Sequence, residues 1–177
     1  PSNLTIGRGH EFTTVYDGTS YTFISLDNKT ITPTEGSFKF IELDVYQGRL
    51  TTDIYMFDGQ VSNQRFPMLN SNIDTSTISI NITSNNVVTA WTRAGDLTSI
   101  TSSSNVWYLQ ENDEGLFEVY FGDGIIGAGP KDGDRITISY LVTDTDHANG
   151  ASVFSMATSI NGNSSVTFTN TISASGG

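Results

Sequence analysis

Residues 106–143, VWYLQENDEGLFEVYFGDGIIGAGPKDGDRITISYLVT, decide the fold. Val106, Trp107, Tyr108, Leu109 and Gln110 make a run that is aromatic and apolar almost throughout, which suits a strand covered on both faces. A short polar connection at 111–115 ends in Gly115. Residues 116–121 then alternate, with Phe117, Val119 and Phe121 on one face and Glu118 and Tyr120 on the other. Gly122, Asp123 and Gly124 tolerate the positive φ that a tight turn needs. A Gly-rich segment carrying Gly127 and Gly133 follows, and 135–142 alternates again through Ile136, Ile138 and Tyr140. Three strands and their turns predict a β-meander.

The same two-residue period recurs on either side. Leu4, Thr5 and Ile6 read as a short strand, and 11–16 and 21–26 flank a hairpin turn built on Asp17 and Gly18. Residues 29–38 read as a polar loop. A strand is predicted over 38–46, with a change of phase at Phe40 and Ile41 that fits a β-bulge. Residues 50–57 carry both helical spacing and β-favouring types, and the Asp58-Gly59 that follows tips them towards a strand. Residues 60–73 look irregular, 77–83 alternates as a strand, and 87–93, which contains Trp91, is another strand candidate. Residues 151–160 fit either a strand or a short helix, and a last strand runs through Val166, Phe168 and Ile172. The expected fold is mainly β, with sheets in a meander or sandwich and little helix. The Ser/Thr-rich segment 98–105 is the expected seam between a sub-domain at 1–98 and a second at 99–177.

Composition narrows the function. The 177 residues carry 8 basic and 19 acidic side chains, a net charge of −11. The basic residues are scattered, so neither nucleic acid nor an anionic membrane surface is an expected partner. Without cysteine there is no disulfide framework and no thiolate metal site. The missing initiator Met and the Ala174-Ser175-Gly176-Gly177 ending suggest a piece of a larger chain.

No catalytic, cofactor or metal site emerges from the motifs. Glu111, Asp113, Glu114, Glu118, Asp123, Asp132 and Asp134 crowd one region, and a glycosidase needs two carboxyls across a cleft. Most of them sit in turns, where Asp serves backbone geometry. Asp144 opens a segment that resembles a Ca²⁺ loop, but Ala148 stands at its fifth position and the glycine falls at the seventh. His10 and His147 are far apart. The glycines of 122–129 lack the Lys-Ser/Thr of a phosphate loop. The sequons at Asn3, Asn28, Asn81 and Asn163 are what chance yields in a chain this rich in Asn, Ser and Thr. The motif residues singled out are structural: Phe121, Gly122, Asp123, Gly124, Gly127 and Gly133, with Asn72 and Asp74 upstream.

An ordered set of segments carries a resemblance. Gln64-Arg65-Phe66-Pro67 and the NSNIDTST of 70–77 come first, then the VWYLQ of 106–110 and the FEVYFGDGIIG of 117–127. Asp132-Gly133-Asp134, residues 136–142 and the ANGA of 148–151 follow, and the terminal ASGG closes the set. In this order they resemble the baseplate wedge proteins of T-even-type contractile-tailed phages, the gene-six type of the baseplate J-like family. The resemblance implies a structural protein of the virion's tail baseplate, assembled in the host bacterial cytoplasm. It would associate with copies of itself, as a homo-oligomer of the full-length protein, and with other wedge proteins, without catalysis. The rival expectation is a β-sandwich glycan-binding module whose Tyr16, Tyr21, Tyr46, Tyr108 and Trp91 form a stacking platform.

Overall fold

The computed structural model describes residues 2–40, 42–162 and 172–176. In chain order the strands are β1 (Leu4–Ile6), β2 (Glu11–Tyr16), β3 (Thr19–Ile24), β4 (Lys29–Ile31), β5 (Tyr46–Gln47), β6 (Arg49–Met56), β7 (Phe66–Pro67), β8 (Ile73–Ser84), β9 (Val87–Arg93), β10 (Val106–Glu111), β11 (Phe117–Phe121), β12 (Arg135–Val142) and β13 (Ser155–Met156). The helical content among the described residues is one 3₁₀ turn at Leu97–Ser99. The mainly β expectation therefore holds. The chain divides into two compact units, one formed by Pro1–Leu50 with Val142–Gly177 and the other by Thr51–Leu141. The seam expected at 98/99 falls inside the second unit, between two strands that pair in parallel.

In the first unit a four-stranded sheet runs β13-β2-β3-β5, and β1 pairs with β4. The β2–β3 hairpin is tighter than the four-residue turn expected. Tyr16 pairs directly with Thr19, leaving Asp17 (φ 49°) and Gly18 (φ 77°) as a two-residue turn whose hand matches the twist of the strands. Within 29–38, read as a loop, Lys29–Ile31 pairs with Leu4–Ile6, and a bridge joins Thr34 to Ser37. The core gathers Leu4, Ile6, Phe12 and Phe23 with Ala148 and Ile160.

The strand predicted over 38–46 is corrected: among the described residues of this stretch, only Tyr46, with Gln47 after it, joins a sheet. Phe38, Phe40, Leu43 and Val45 still pack inward against the core. The change of phase between Phe40 and Leu43 coincides with Glu42 in a left-handed conformation (φ 53°). The Lys29 ammonium donates to the Glu42 carbonyl at 2.6 Å. The pattern recorded burial truly, while the backbone has no ladder to join. Most of the last predicted strand, with Val166, Phe168 and the Asn163 sequon, lies outside the described residues.

The second unit is a seven-stranded sheet, β6-β12-β8-β9-β10-β11-β7. Two hairpins form it, β8–β9 through Asn85 and Asn86 (φ 48° and 64°) and β10–β11, joined where β9 and β10 run parallel. The predicted meander is corrected here. β12 does not pair with β11 but lies between β6 and β8, because the long Gly-rich connection carries the chain away from its predecessor. The edge strands β6 and β7 face each other: the Tyr55 hydroxyl donates to the Pro67 carbonyl, and the Tyr55 and Phe66 rings are 5.4 Å apart. The sheet thus curls into a nearly closed, barrel-like form.

β6 shows how this interior is filled. Ile54 and Met56 point out to solvent, while Asp53 and Tyr55 are half-buried on the other face. That inversion of the usual pattern has a partner to explain it. The fully buried Tyr140 donates its hydroxyl to Asp53 Oδ2 at 2.6 Å and accepts from Asn70 Nδ2 at 2.8 Å. Burial, and then the bond to Asp53, push the Tyr140 phenol well above its ordinary pKa.

Two stability predictions follow from these buried groups. Tyr140→Phe leaves Asp53 and Asn70 without their shared partner and costs about 1–3 kcal/mol by denaturant unfolding. A phenol whose pKa is raised by folding stabilises fully below the unfolded value and loses that contribution as pH rises. Wild-type stability should therefore fall above about pH 10, and the fall should be shallower in Tyr140→Phe. His10, in the first unit, works in the opposite sense. Its Nε2 is buried without a hydrogen-bond partner, and desolvation lowers its pKa against an opposing pull from Glu11. Stability is then full above about pH 6.5 and declines below it as the unfolded chain takes up the proton first. His10→Leu should flatten that acid limb; an unchanged limb would show that His10 does not drive it.

Candidate functional site

The block singled out in the sequence is a braced surface structure. On the inner face of the β10–β11 hairpin, Trp107 pairs with Phe121 and Leu109 with Val119. Phe121 meets Phe66 and Trp91 edge-on, at 5.6 and 5.2 Å between centroids. On the outer face Tyr108 stacks on Tyr120 at 5.0 Å, and Gln110 Nε2 donates to Glu118 Oε1 at 2.5 Å. Arg65 lies over the Tyr120 ring at 4.0 Å, with its Nε 3.6 Å from Glu118. Glu118 is buried, so this cation and amide supply its charge balance in place of water. Tyr108 was picked out from the sequence as a stacking aromatic, whereas Arg65, Gln110 and Tyr120 were not singled out as site residues. Their only signal was the alternation that sets Glu118 and Tyr120 on one face.

The loop after β11 folds back on itself. Asp123 Oδ1 accepts from the backbone N–H groups of Ile125 (2.9 Å) and Ile126 (3.2 Å), and these bonds hold its carboxyl below the ordinary range. Gly124 N donates to Gly127 O. A Cβ on Gly122 would collide with the carbonyl oxygens of Ile126 and Gly127, so only glycine fits there. Gly127 adds a second such constraint, with φ 84° and Val106 Cγ2 2.9 Å from where its Cβ would stand. The loop is tied down by Gly127 N to Thr101 O, Ala128 N to Ser104 O and the Tyr108 hydroxyl to Ile126 O. Its tip presents Ile125 and Ile126 to solvent.

The remaining motif residues bond backbone groups, some in their own turn and some in the distant 57–59 segment. Gly133 (φ 79°) donates to Phe57 O, and the buried Asp134 accepts from Lys131 N at 2.8 Å. Asp132 Oδ1 accepts from Gly59 N at 2.9 Å. Asp74 Oδ1 takes both the N–H and the hydroxyl of Ser76 at the start of β8, and Asn72 stands just before that strand. Asn112 Oδ1, not a carboxylate, closes the 111–115 turn by accepting from Glu114 N and Leu116 N. The acids that crowd the sequence are thus spread over separate turns and, for Glu111 and Glu118, over strands β10 and β11.

Among the described residues no group of three His, Cys, Asp or Glu is placed to hold a metal ion. Of the five aromatics expected to form a stacking platform, Trp91 is buried against Phe121, the half-buried Tyr108 stacks on Tyr120, and Tyr21 lies on the first unit's core, while Tyr16 and Tyr46 are exposed. An open cleft of about 290 Å³ in the first unit, lined by Asp27, Asn28, Lys29, Glu42, Leu43 and Asp44, already has its ammonium bonded to a carbonyl.

The close packing of Gly122 predicts a graded response. Gly122→Ala should cost about 1–3 kcal/mol in denaturant unfolding of the whole chain, because the loop must shift off its carbonyls. Gly95→Ala, with nothing within 4 Å of the added carbon, should change it little. Equal effects at the two positions would refute the packing argument.

Known proteins match the same region. The family described as "Bacteriophage baseplate wedge protein gp6, third domain" matches residues 49–142. That span starts two residues before Thr51 and ends one after Leu141, the limits of the second unit. Baseplate wedge protein gp6 of Enterobacteria phage T4 is 27% identical over 174 residues, covering 87% of this chain and 25% of that protein. The chain therefore spans about a quarter of that relative's length. With the family's third domain coinciding with the seven-stranded unit, the chain belongs to the bacteriophage baseplate wedge protein gp6 family.

Proposed function

We propose that the chain is a structural part of a phage tail baseplate wedge and works by assembling with other baseplate subunits, not by turning over a substrate. The observation that carries this reading is the coincidence of the family's third domain with one complete folded unit, the curled seven-stranded sheet. Two features of the structure support it. Asp123, Asp132 and Asp134, which could have served acid–base chemistry, accept from backbone N–H groups, and Trp91, the indole that could have stacked on a sugar, is buried against Phe121. What the geometry offers is a rigid β scaffold with a braced loop on its surface. Its mechanism is to hold contact surfaces in fixed positions for neighbouring subunits. On this reading the protein sits in the virion's tail baseplate, is put together in the host cytoplasm, and contacts both copies of itself and other wedge proteins. Its acidic surface keeps it soluble before assembly.

The test is native mass spectrometry of the intact protein, alone and mixed with the other wedge proteins of its phage. Complexes of defined stoichiometry are expected, together with immunogold label at the baseplate end of the virion. A protein that stays monomeric in every mixture would overturn the proposal.

A further inference from the structure

We infer that the open edge of β9, residues 87–90, is a docking edge for an extended strand donated by a different baseplate subunit, paired through the outward backbone groups of Val88 and Ala90. This rests on the structural reading above and names a partner surface for it.

β9 is internal to the sheet by order but not along its whole length. β8 pairs with it from Val87 to Trp91, whereas β10 pairs only with Thr92 and Arg93. Upstream of Val106 the chain turns away through 101–105, where Ser104 and Thr101 carbonyls accept from Ala128 and Gly127. Thr92 N donates to Asn105 O, so the Thr92 backbone faces the β10 side. Backbone direction alternates along a strand, which turns Ala90 and Val88 to that same side, where no strand of the described residues meets them. Thr89, one residue out of phase, faces β8.

The edge lacks the usual protection. Val87 and Val88 are 63% and 65% exposed, and Thr89 and Ala90 are exposed as well. From Ser84 to Thr92 there is no charged residue and no proline, two of the devices by which natural edges discourage pairing. In a chain of net charge −11 this is a neutral, β-branched stretch on which another backbone can settle without charge repulsion.

The size of the edge selects the occupant. Pairing two copies through four residues would bury far less than the roughly 1,200–2,000 Å² that stable interfaces use, and would bring together two strongly acidic chains. A short strand from another subunit, held in place by the rest of an assembly, needs no such area of its own. Recognition would be backbone pairing along an edge, with specificity from the side chains beside it.

The test is residue-resolved hydrogen exchange of the intact protein, alone and in the assembled wedge. The Val88 and Ala90 amides should exchange freely alone and at least roughly tenfold more slowly in the assembly, while Thr89 is protected in both. Val88→Pro removes an outward N–H that β8 does not use, a substitution that edge strands accept. It should leave the fold intact and weaken wedge assembly by at least about tenfold. Assembly with unchanged exchange at Val88 and Ala90 would overturn the docking edge and leave the structural role standing. Protection that rises with concentration of the protein alone would assign the edge to a second copy and overturn the inference. A protein that enters no assembly would overturn both.

Discussion

Phe66 is where the second unit is held shut. Its ring, 1% exposed in a strand of only two residues, lies 5.4 Å from Tyr55, 6.4 Å from Phe57 and 5.6 Å from Phe121, which in turn meets Trp91. These contacts join β7 to β6 at the far edge of the sheet and to β11 and β9 within it. Twist alone would carry the two edges of a seven-stranded sheet apart or past each other. A shared apolar cluster gives them a reason to face. It also brings the two edge strands together at Tyr55 and Pro67, where the Tyr55 hydroxyl bonds the Pro67 carbonyl.

Around this apolar centre the polar groups follow one rule. Asp123, Asp132, Asp134 and Asp74 each accept from a backbone N–H in a turn or at a strand start, and Asp53 accepts from Tyr140. A chain with so few helices must satisfy much of its backbone outside regular ladders, and short acceptor side chains do that locally. The acidity of the protein is in part a by-product of its turns. Geometry, not chemistry, is what those residues contribute, and this agrees with a scaffold that places surfaces for its neighbours.

Local features were legible in the residues and distant ones were not. The period of two located β11 and β12 within a residue or two, Asp58-Gly59 tipped the ambiguous 50–57 to the strand β6, and Asp17-Gly18 marked its hairpin. The turn chemistry of Gly122, Asp123 and Gly124 was readable for the same reason: it depends on neighbours in sequence. The place of β12 between β6 and β8 was not readable, since nothing in Ile136, Ile138 or Tyr140 names the strand it will meet. Residues 38–45 make the same point from the other side. Their alternation recorded burial of Phe38, Phe40, Leu43 and Val45, but a ladder also needs a free partner edge. Of the braced site, the loop could be read and its supports could not. Arg65 reaches Glu118 and Tyr120 across many residues, and the open part of β9 exists only because β10 begins where it does.

The division of the chain sets an order of events during synthesis. The first unit needs the segments on both sides of the second: β2 pairs with β13, and Leu4, Ile6, Phe12 and Phe23 share a core with Ala148 and Ile160. The second unit needs only the residues between. On a ribosome the N-terminal strands therefore emerge first but must wait, their apolar faces unfinished, until the inserted sheet has been made. Domains usually fold in the order in which they appear. Here the interrupted one is completed last, so the hairpin of Asp17 and Gly18, which forms from neighbouring residues alone, is the structure best placed to hold that early segment in register while it waits.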